Sequence, residues 1–133
     1  MNTMTALHLS VSIGRDWQAV YDYLARPEHF NAWASGLGNS LREDNGVWQG
    51  QGPAGPIRLR FSARNDFGIA DHWVEVGPDT VVYVPLRVVR NGPGTTVSLT
   101  LFQQPNMDDA QFDADAEWVH RDLVKLKTVL EAE

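Results

Sequence analysis

The chemistry this chain could perform starts at His72. Upstream, Ile57, Leu59, Phe61 and Ala63 alternate with Arg58, Arg60 and Arg64, and downstream Ala70, His72, Val74 and Val76 alternate with Asp71, Trp73 and Glu75. If a hairpin closes at Asn65-Asp66-Phe67-Gly68, the apolar members of both runs share one face and carry a titratable ring among them. Such a ring can hydrogen-bond a ligand oxygen, or move a proton in aldol-type ring closure or dehydration. A histidine on an apolar strand face is more often a satisfied core residue, so both readings stand side by side. Asp71 and Arg87 are its candidate helpers. The simplest pairing across Asn91 to Gly94 sets Val84, Leu86 and Val88 against Val97, Leu99 and Leu101 inside, leaving Tyr83 and Arg87 outside with Arg87 near Asp71. Pro85 cannot donate to a ladder, and a one-residue slip there would bring Tyr83 and Arg87 in beside His72.

Other chemistries fail on spacing. Gly50 to Gly55 spells GxGxxG, but Pro56 and an alternating strand follow where a dinucleotide site needs a helix N-terminus. The segment reads as a hairpin loop at a cavity mouth. The four histidines occur singly, without zinc spacing, and Ser35 before Gly36 ends a helix where a nucleophile elbow needs a strand-to-helix turn. Carboxylates at Asp113, Asp115 and Glu117 lie along a helix and do not converge on one ion. No metal site and no cofactor is expected. With no cysteine, disulfides and thiolate ligands are excluded. A net charge of -6 argues against nucleic acid. Arg58, Arg60 and Arg64 form a basic stripe, expected to be neutralised across the hairpin by Asp71 and Glu75, with Arg60 over Trp73.

The elements that must position these residues follow from period and punctuation. Leu7, Leu9, Val11 and Ile13 alternate as a half-buried strand. Asp16 is an N-cap for a short helix with Trp17, Val20 and Leu24 on one face; Pro27 stops it and starts a second, with Phe30 and Trp33 inward and Ser35-Gly36 closing it. The period then becomes two, and turn residues divide the chain into six strands near 40–44, 47–51, 56–64, 69–76, 80–90 and 95–103. Last comes a long helix. Phe112, Ala116, Val119, Leu123, Leu126 and Leu130 make one apolar stripe, Asp108 with Gln111 makes a capping box, and acidic residues lead while Arg121, Lys125 and Lys127 trail, as the helix dipole prefers. At 133 residues the chain reads as one domain, 1–133. Nothing in it resembles a secretory signal or a membrane span, so a soluble, cytoplasmic protein is expected.

This order of elements, with Trp33-Ala34-Ser35-Gly36-Leu37, Asn65-Asp66-Phe67-Gly68-Ile69-Ala70-Asp71-His72 and Tyr83-Val84-Pro85-Leu86-Arg87, resembles the START-like (SRPBCC) superfamily, and within it the small bacterial polyketide cyclase/dehydrase-like members. The resemblance implies an α+β helix-grip fold: a seven-stranded antiparallel sheet curved around the long C-terminal helix, with two short helices between strands 1 and 2. It also implies an internal cavity for a hydrophobic small molecule, lipid, aromatic or polyketide-like. Phe30, Trp33, Trp48, Phe61, His72, Tyr83 and Trp118 are the candidate ligand-binding residues, and Phe30 and Trp33 beside Gly36-Leu37-Gly38 could form a gate. Three functions remain open: ligand binding, a cyclase or dehydrase using His72 as acid or base with Asp71 or Arg87, and a protein-interaction module. Monomer and homodimer are both compatible with the sequence.

Overall fold

The computed structural model describes residues 2–35, 40–52 and 55–133. The Gly36-Leu37-Gly38 bend and the Pro53-Ala54 tip therefore lie outside the described residues. Strand β1 (Ala6–Ile13) opens the chain, and its alternation leaves Ile13 2 % exposed while His8, Ser10 and Ser12 face out. Helix α1 (Trp17–Leu24) begins at Asp16, whose carboxylate accepts the Ala19 N–H at 3.1 Å, and buries Trp17, Val20, Tyr21 and Leu24. A 3₁₀ turn (Pro27–His29) runs directly into α2 (Phe30–Trp33), since proline starts a helical turn but cannot continue the one before it.

The strands that follow number one more than the sequence predicts. They are β2 (Arg42–Asp44), β3 (Val47–Gly52), β4 (Gly55–Phe61), β5 (His72–Glu75), β6 (Val81–Val84), β7 (Leu86–Asn91) and β8 (Gly94–Phe102), so that with β1 there are eight. They form two antiparallel sheets, β1-β8-β7 and β2-β3-β4-β5-β6, in place of one seven-stranded sheet. The correction has a local cause at Pro85, which splits the expected 80–90 strand into β6 and β7. His72 pairs with Val84 and Ile69 with Arg87, which is one continuous register that places Asp71 opposite Pro85. The Ala70 N–H still bonds the Leu86 carbonyl at 2.8 Å, but the Leu86 N–H turns to the Asp71 carboxylate at 2.9 Å, while Pro85, whose carbonyl accepts the Thr100 N–H, has no N–H to give β8 in return, so the ladders lapse for one step on both sides. Across β7 the register is the simple one, Leu86 with Leu99 and Val88 with Val97.

The turn before β5 is fixed by its own polar groups. Asn65 Oδ1 accepts the N–H groups of Phe67 and Ile69, and its amide donates to the carbonyls of Ala63 and Ile69. Gly68 has a φ of +74°, and a Cβ there would stand 2.3 Å from the Val88 carbonyl oxygen, which also accepts the Trp17 indole N–H. Only glycine lets the loop lie this close. Arg64 is carried off the strand face by this turn: it pairs with Asp22 of α1 and lies over the Tyr21 ring, rather than meeting Asp71.

Helix α3 (Asp109–Glu131) has the capping box of Asp108 and Gln111, and buries Phe112, Leu123, Leu126 and Leu130. It packs along β1 and α2. Its C-terminal end is bolted down by three bonds: Gly14 N–H to Glu131, Arg15 to the Leu130 carbonyl, and Lys127 to the Ser12 carbonyl. No described helix is long and apolar enough to cross a membrane. Leu123 is wholly enclosed, so Leu123→Ala should cost about 3 kcal/mol of unfolding free energy, read as a lower urea midpoint with an unchanged slope.

Candidate functional site

Four of the seven residues expected to line a cavity meet His72 in one cluster on the inner side. Phe61 of β4 stands opposite His72 of β5, and Trp48 of β3 opposite Leu59, so all three rings project from the same sheet face. Phe30 of α2 closes over them, edge-on to His72 at 5.3 Å and to Phe61 at 5.2 Å between ring centres. Trp33, one helical turn on, tilts against Phe30 at 5.0 Å, and Trp48 meets Phe61 edge-on at 6.4 Å. Edge-to-face contacts of this kind hold rings in fixed orientations.

Two polar atoms in this cluster lack partners. Among the described residues, Nδ1 of His72 and Nε1 of Trp33 are buried without a hydrogen bond. Buried polar groups are nearly always paired, and each unpaired one costs about 1–3 kcal/mol. Burial drives the His72 pKa from 6.5 down to about 4, against the Asp71 charge and a contact with the Ala70 backbone that falls short of hydrogen-bond geometry. The ring is thus neutral at pH 7.

Asp71 and Arg87 assemble on the opposite, outer face. Arg87 Nε and Nη2 donate to the two carboxylate oxygens of Asp71 at 2.8 and 2.9 Å, and the Tyr83 hydroxyl donates to Asp71 at 2.5 Å. Asp71 is 4 % exposed. Burial opposes its charge, but the hydrogen bonds from Arg87, Tyr83 and Leu86 outweigh burial and hold its pKa below the ordinary value. The same contact pushes the Tyr83 hydroxyl and the Arg87 guanidinium up. Tyr83 also stacks on Trp73 at 5.3 Å, which carries Arg60 at 5.8 Å on the outer face. Neighbours in sequence, Asp71 and His72 are therefore split between the two faces, and Arg87 and Tyr83 go with Asp71. Trp118 stays on the surface of α3, where its indole N–H donates to Ser35, whose hydroxyl donates to Asp122.

Three clefts are described, and none is lined by His72, Phe61 or Trp48. One of 540 Å³ lies between α2 and α3 and touches Trp33, Ser35 and Arg121; one of 440 Å³ lies between β1 and α3 at Leu9 and His120. The largest, 690 Å³, is on β2 to β4, lined by Arg42, Gln49, Gln51 and Arg58 among others. The sequence reading passed over Arg42, Gln49 and Gln51. Their signal was parity, since the register puts them on one face, but β2 is only three residues long and its pairing is set by a neighbouring loop. Asn31 fixes that loop by bonding both the N–H and the carbonyl of Leu41. Among the described residues no group of acids and histidines is gathered to hold a metal ion.

No protein-family model and no curated protein matches the sequence. Solved structures do match the fold. XoxI from Bacillus cereus superposes with a TM-score of 0.76 at 16% identity over 96% of each chain. Ara h 8.0201 matches with a TM-score of 0.67 at 7% identity, covering 98% of this chain and 99% of that one. DynU16, a protein of the dynemicin biosynthetic locus, matches with a TM-score of 0.67 at 12% identity, over 95% of this chain and 47% of its own. The likeness is one of fold, antiparallel sheets with a long C-terminal helix. At these identities it carries no activity with it.

Two outcomes follow from the electrostatics. Because the folded pKa of His72, about 4, lies below the ordinary 6.5, its contribution to stability is complete above 6.5 and lost as pH falls from there towards about 4. His72→Gln should flatten that limb of a urea-derived stability curve. Asp71 behaves as a depressed carboxylate: its contribution is complete above 3.8 and lost as pH falls through the lower folded value. Asp71→Asn should destabilise by about 2 kcal/mol near neutral pH, and adding Arg87→Met should cost less than the sum of the two.

Proposed function

We propose that this chain binds a hydrophobic small molecule between sheet and helices, with Phe30, Trp33, Trp48 and Phe61 against its apolar body and His72 bonded to one of its oxygens. One observation carries the reading. Two hydrogen-bonding nitrogens, His72 Nδ1 and Trp33 Nε1, stand unpaired in a wall that is otherwise aromatic. A mostly apolar site with a few convergent polar groups is the usual composition of a small-molecule pocket. The indole donates; the neutral imidazole donates or accepts according to tautomer. A carbonyl or hydroxyl on an otherwise apolar ligand can satisfy either of them. Of the described clefts the 540 Å³ one reaches the cluster at Trp33 and none reaches His72, so a shift of the short α2 that carries Phe30 and Trp33 would open the way to the ring.

Binding is favoured over the cyclase or dehydrase alternative by the state of the ring. A general acid or base works best with a pKa near the working pH, and His72 at about 4 is far from it. Asp71 and Arg87 are committed to one another on the far face. The dynemicin-locus neighbour keeps polyketide-like molecules in view as ligands. A protein-docking role rests on a different observation: Phe67 is 79% exposed on the rigid Asn65 turn, with Val89 54% exposed at the same end of the hairpin.

Native mass spectrometry of the protein purified from its source should show a co-purifying molecule of a few hundred daltons. In thermal-shift assays decanoate and 1,8-dihydroxyanthraquinone are suitable first probes; a ligand at 100 times its Kd adds about 2.7 kcal/mol to folded stability. His72→Leu and Trp33→Phe should weaken binding of an oxygen-bearing probe by about fivefold each. Equal affinity in all three proteins would overturn the proposed role of the unpaired nitrogens.

A further inference from the structure

We propose that the outer face of β2 to β4 is a binding site for an oxyanion, a phosphate or carboxylate group borne by a small molecule, held between Arg42 and Arg58 over Gln49. The register aligns the three side chains in one row, Arg42 opposite Gln49 and Gln49 opposite Arg58. A second row lies beside it, with Gln51 opposite Pro56 and the Gln51 N–H bonded to Ser40. Residues of this parity line the 690 Å³ cleft, and Leu41, Gly50 and Ile57 between them complete it.

The charge of the cleft is opposite to that of the chain. With 17 acidic residues against 11 lysines and arginines, the protein is net negative, yet no carboxylate lines this cleft. Glu75 faces Arg58 from β5 but forms no ion pair with it, and Asp44 follows Arg42 at the far end of β2. Other arginines of the sheet surface are committed: Arg60 over Trp73, Arg64 to Asp22, Arg87 to Asp71, Arg90 over Trp17. Among the described residues Arg42 and Arg58 have no ion pair and no ring contact. Two uncommitted guanidinium groups about 10 Å apart at the backbone, two strand spacings, can converge on one anion between them. Their planar forks suit the paired oxygens of a phosphate or carboxylate. The Gln49 and Gln51 amides supply further donors. The GxGxxG segment of the sequence contributes Gly50 and Gln51 to this cleft as strand residues, without any helix terminus.

The test is a titration of the whole chain with inorganic phosphate and, separately, citrate, against sodium chloride at matched ionic strength. Backbone and side-chain ¹H–¹⁵N spectra are the readout. Saturable shifts confined to Arg42, Gln49, Gln51 and Arg58, for either anion, are expected, and the tighter anion identifies the group. Arg42→Gln/Arg58→Gln should weaken binding by about tenfold or more, as should Gln49→Glu, while Arg60→Gln should leave it unchanged. All four positions face solvent or lie near it, so the variants should keep the wild-type spectrum elsewhere. Shifts that chloride reproduces, or affinity that survives the double substitution, would overturn the proposal. This site stands apart from the aromatic cluster, so its result is independent of the His72 and Trp33 variants.

Discussion

The arrangement of this protein depends on one amide, the N–H of Leu86, that bonds a side chain in place of the neighbouring strand. Pro85 interrupts the strand from Val81 to Asn91, and the Asp71 carboxylate steps in for the backbone at Leu86. At this point β6 and β7 part into separate sheets, and a buried carboxylate takes the Leu86 N–H that would otherwise return to Ala70. A buried carboxylate in turn requires a cation and a donor, which Arg87 and Tyr83 provide. Strand alternation then does the rest: with Asp71 committed outward, His72 has to point inward.

The same logic sorts polar chemistry by side. On the outer face charges find partners or solvent, and the arginine rows belong there. On the inner face the described residues include an unpaired imidazole nitrogen, an unpaired indole N–H and a set of rings. Ion pairs on the outer face contribute position more than energy, since most are partly exposed. The interior groups have fewer options, and their unmet hydrogen-bonding capacity is what gives the aromatic cluster a functional reading.

Much of this was legible in the sequence. The Asp16 cap, the Asp108 and Gln111 box, the α3 stripe and the hairpin about Asn65 to Gly68 were all written in local signals that tertiary structure had no reason to override. The inward direction of His72 and the pairing of Arg87 with Asp71 followed from period-two alternation once the turn was placed. The two-sheet break was harder to see. Proline announced a disturbance at position 85, but whether that meant a bulge, an edge or a divided strand depended on the Asp71 side chain, fourteen residues away. Arg64 was misplaced for a similar reason: its run of alternation continues past Phe61, yet Asp22 on a different element offered a partner and Tyr21 a ring. The β2 to β4 cleft is made by register between a very short strand and its neighbours, and no periodicity reports that.

A side chain that stays uncharged at every pH a cell normally presents does not discriminate by proton count. If the proposed binding role holds, an imidazole beneath Phe30 and Phe61 would offer a guest a dipole in place of an ion, so entry would favour neutral guests and leave any ionised portion in water.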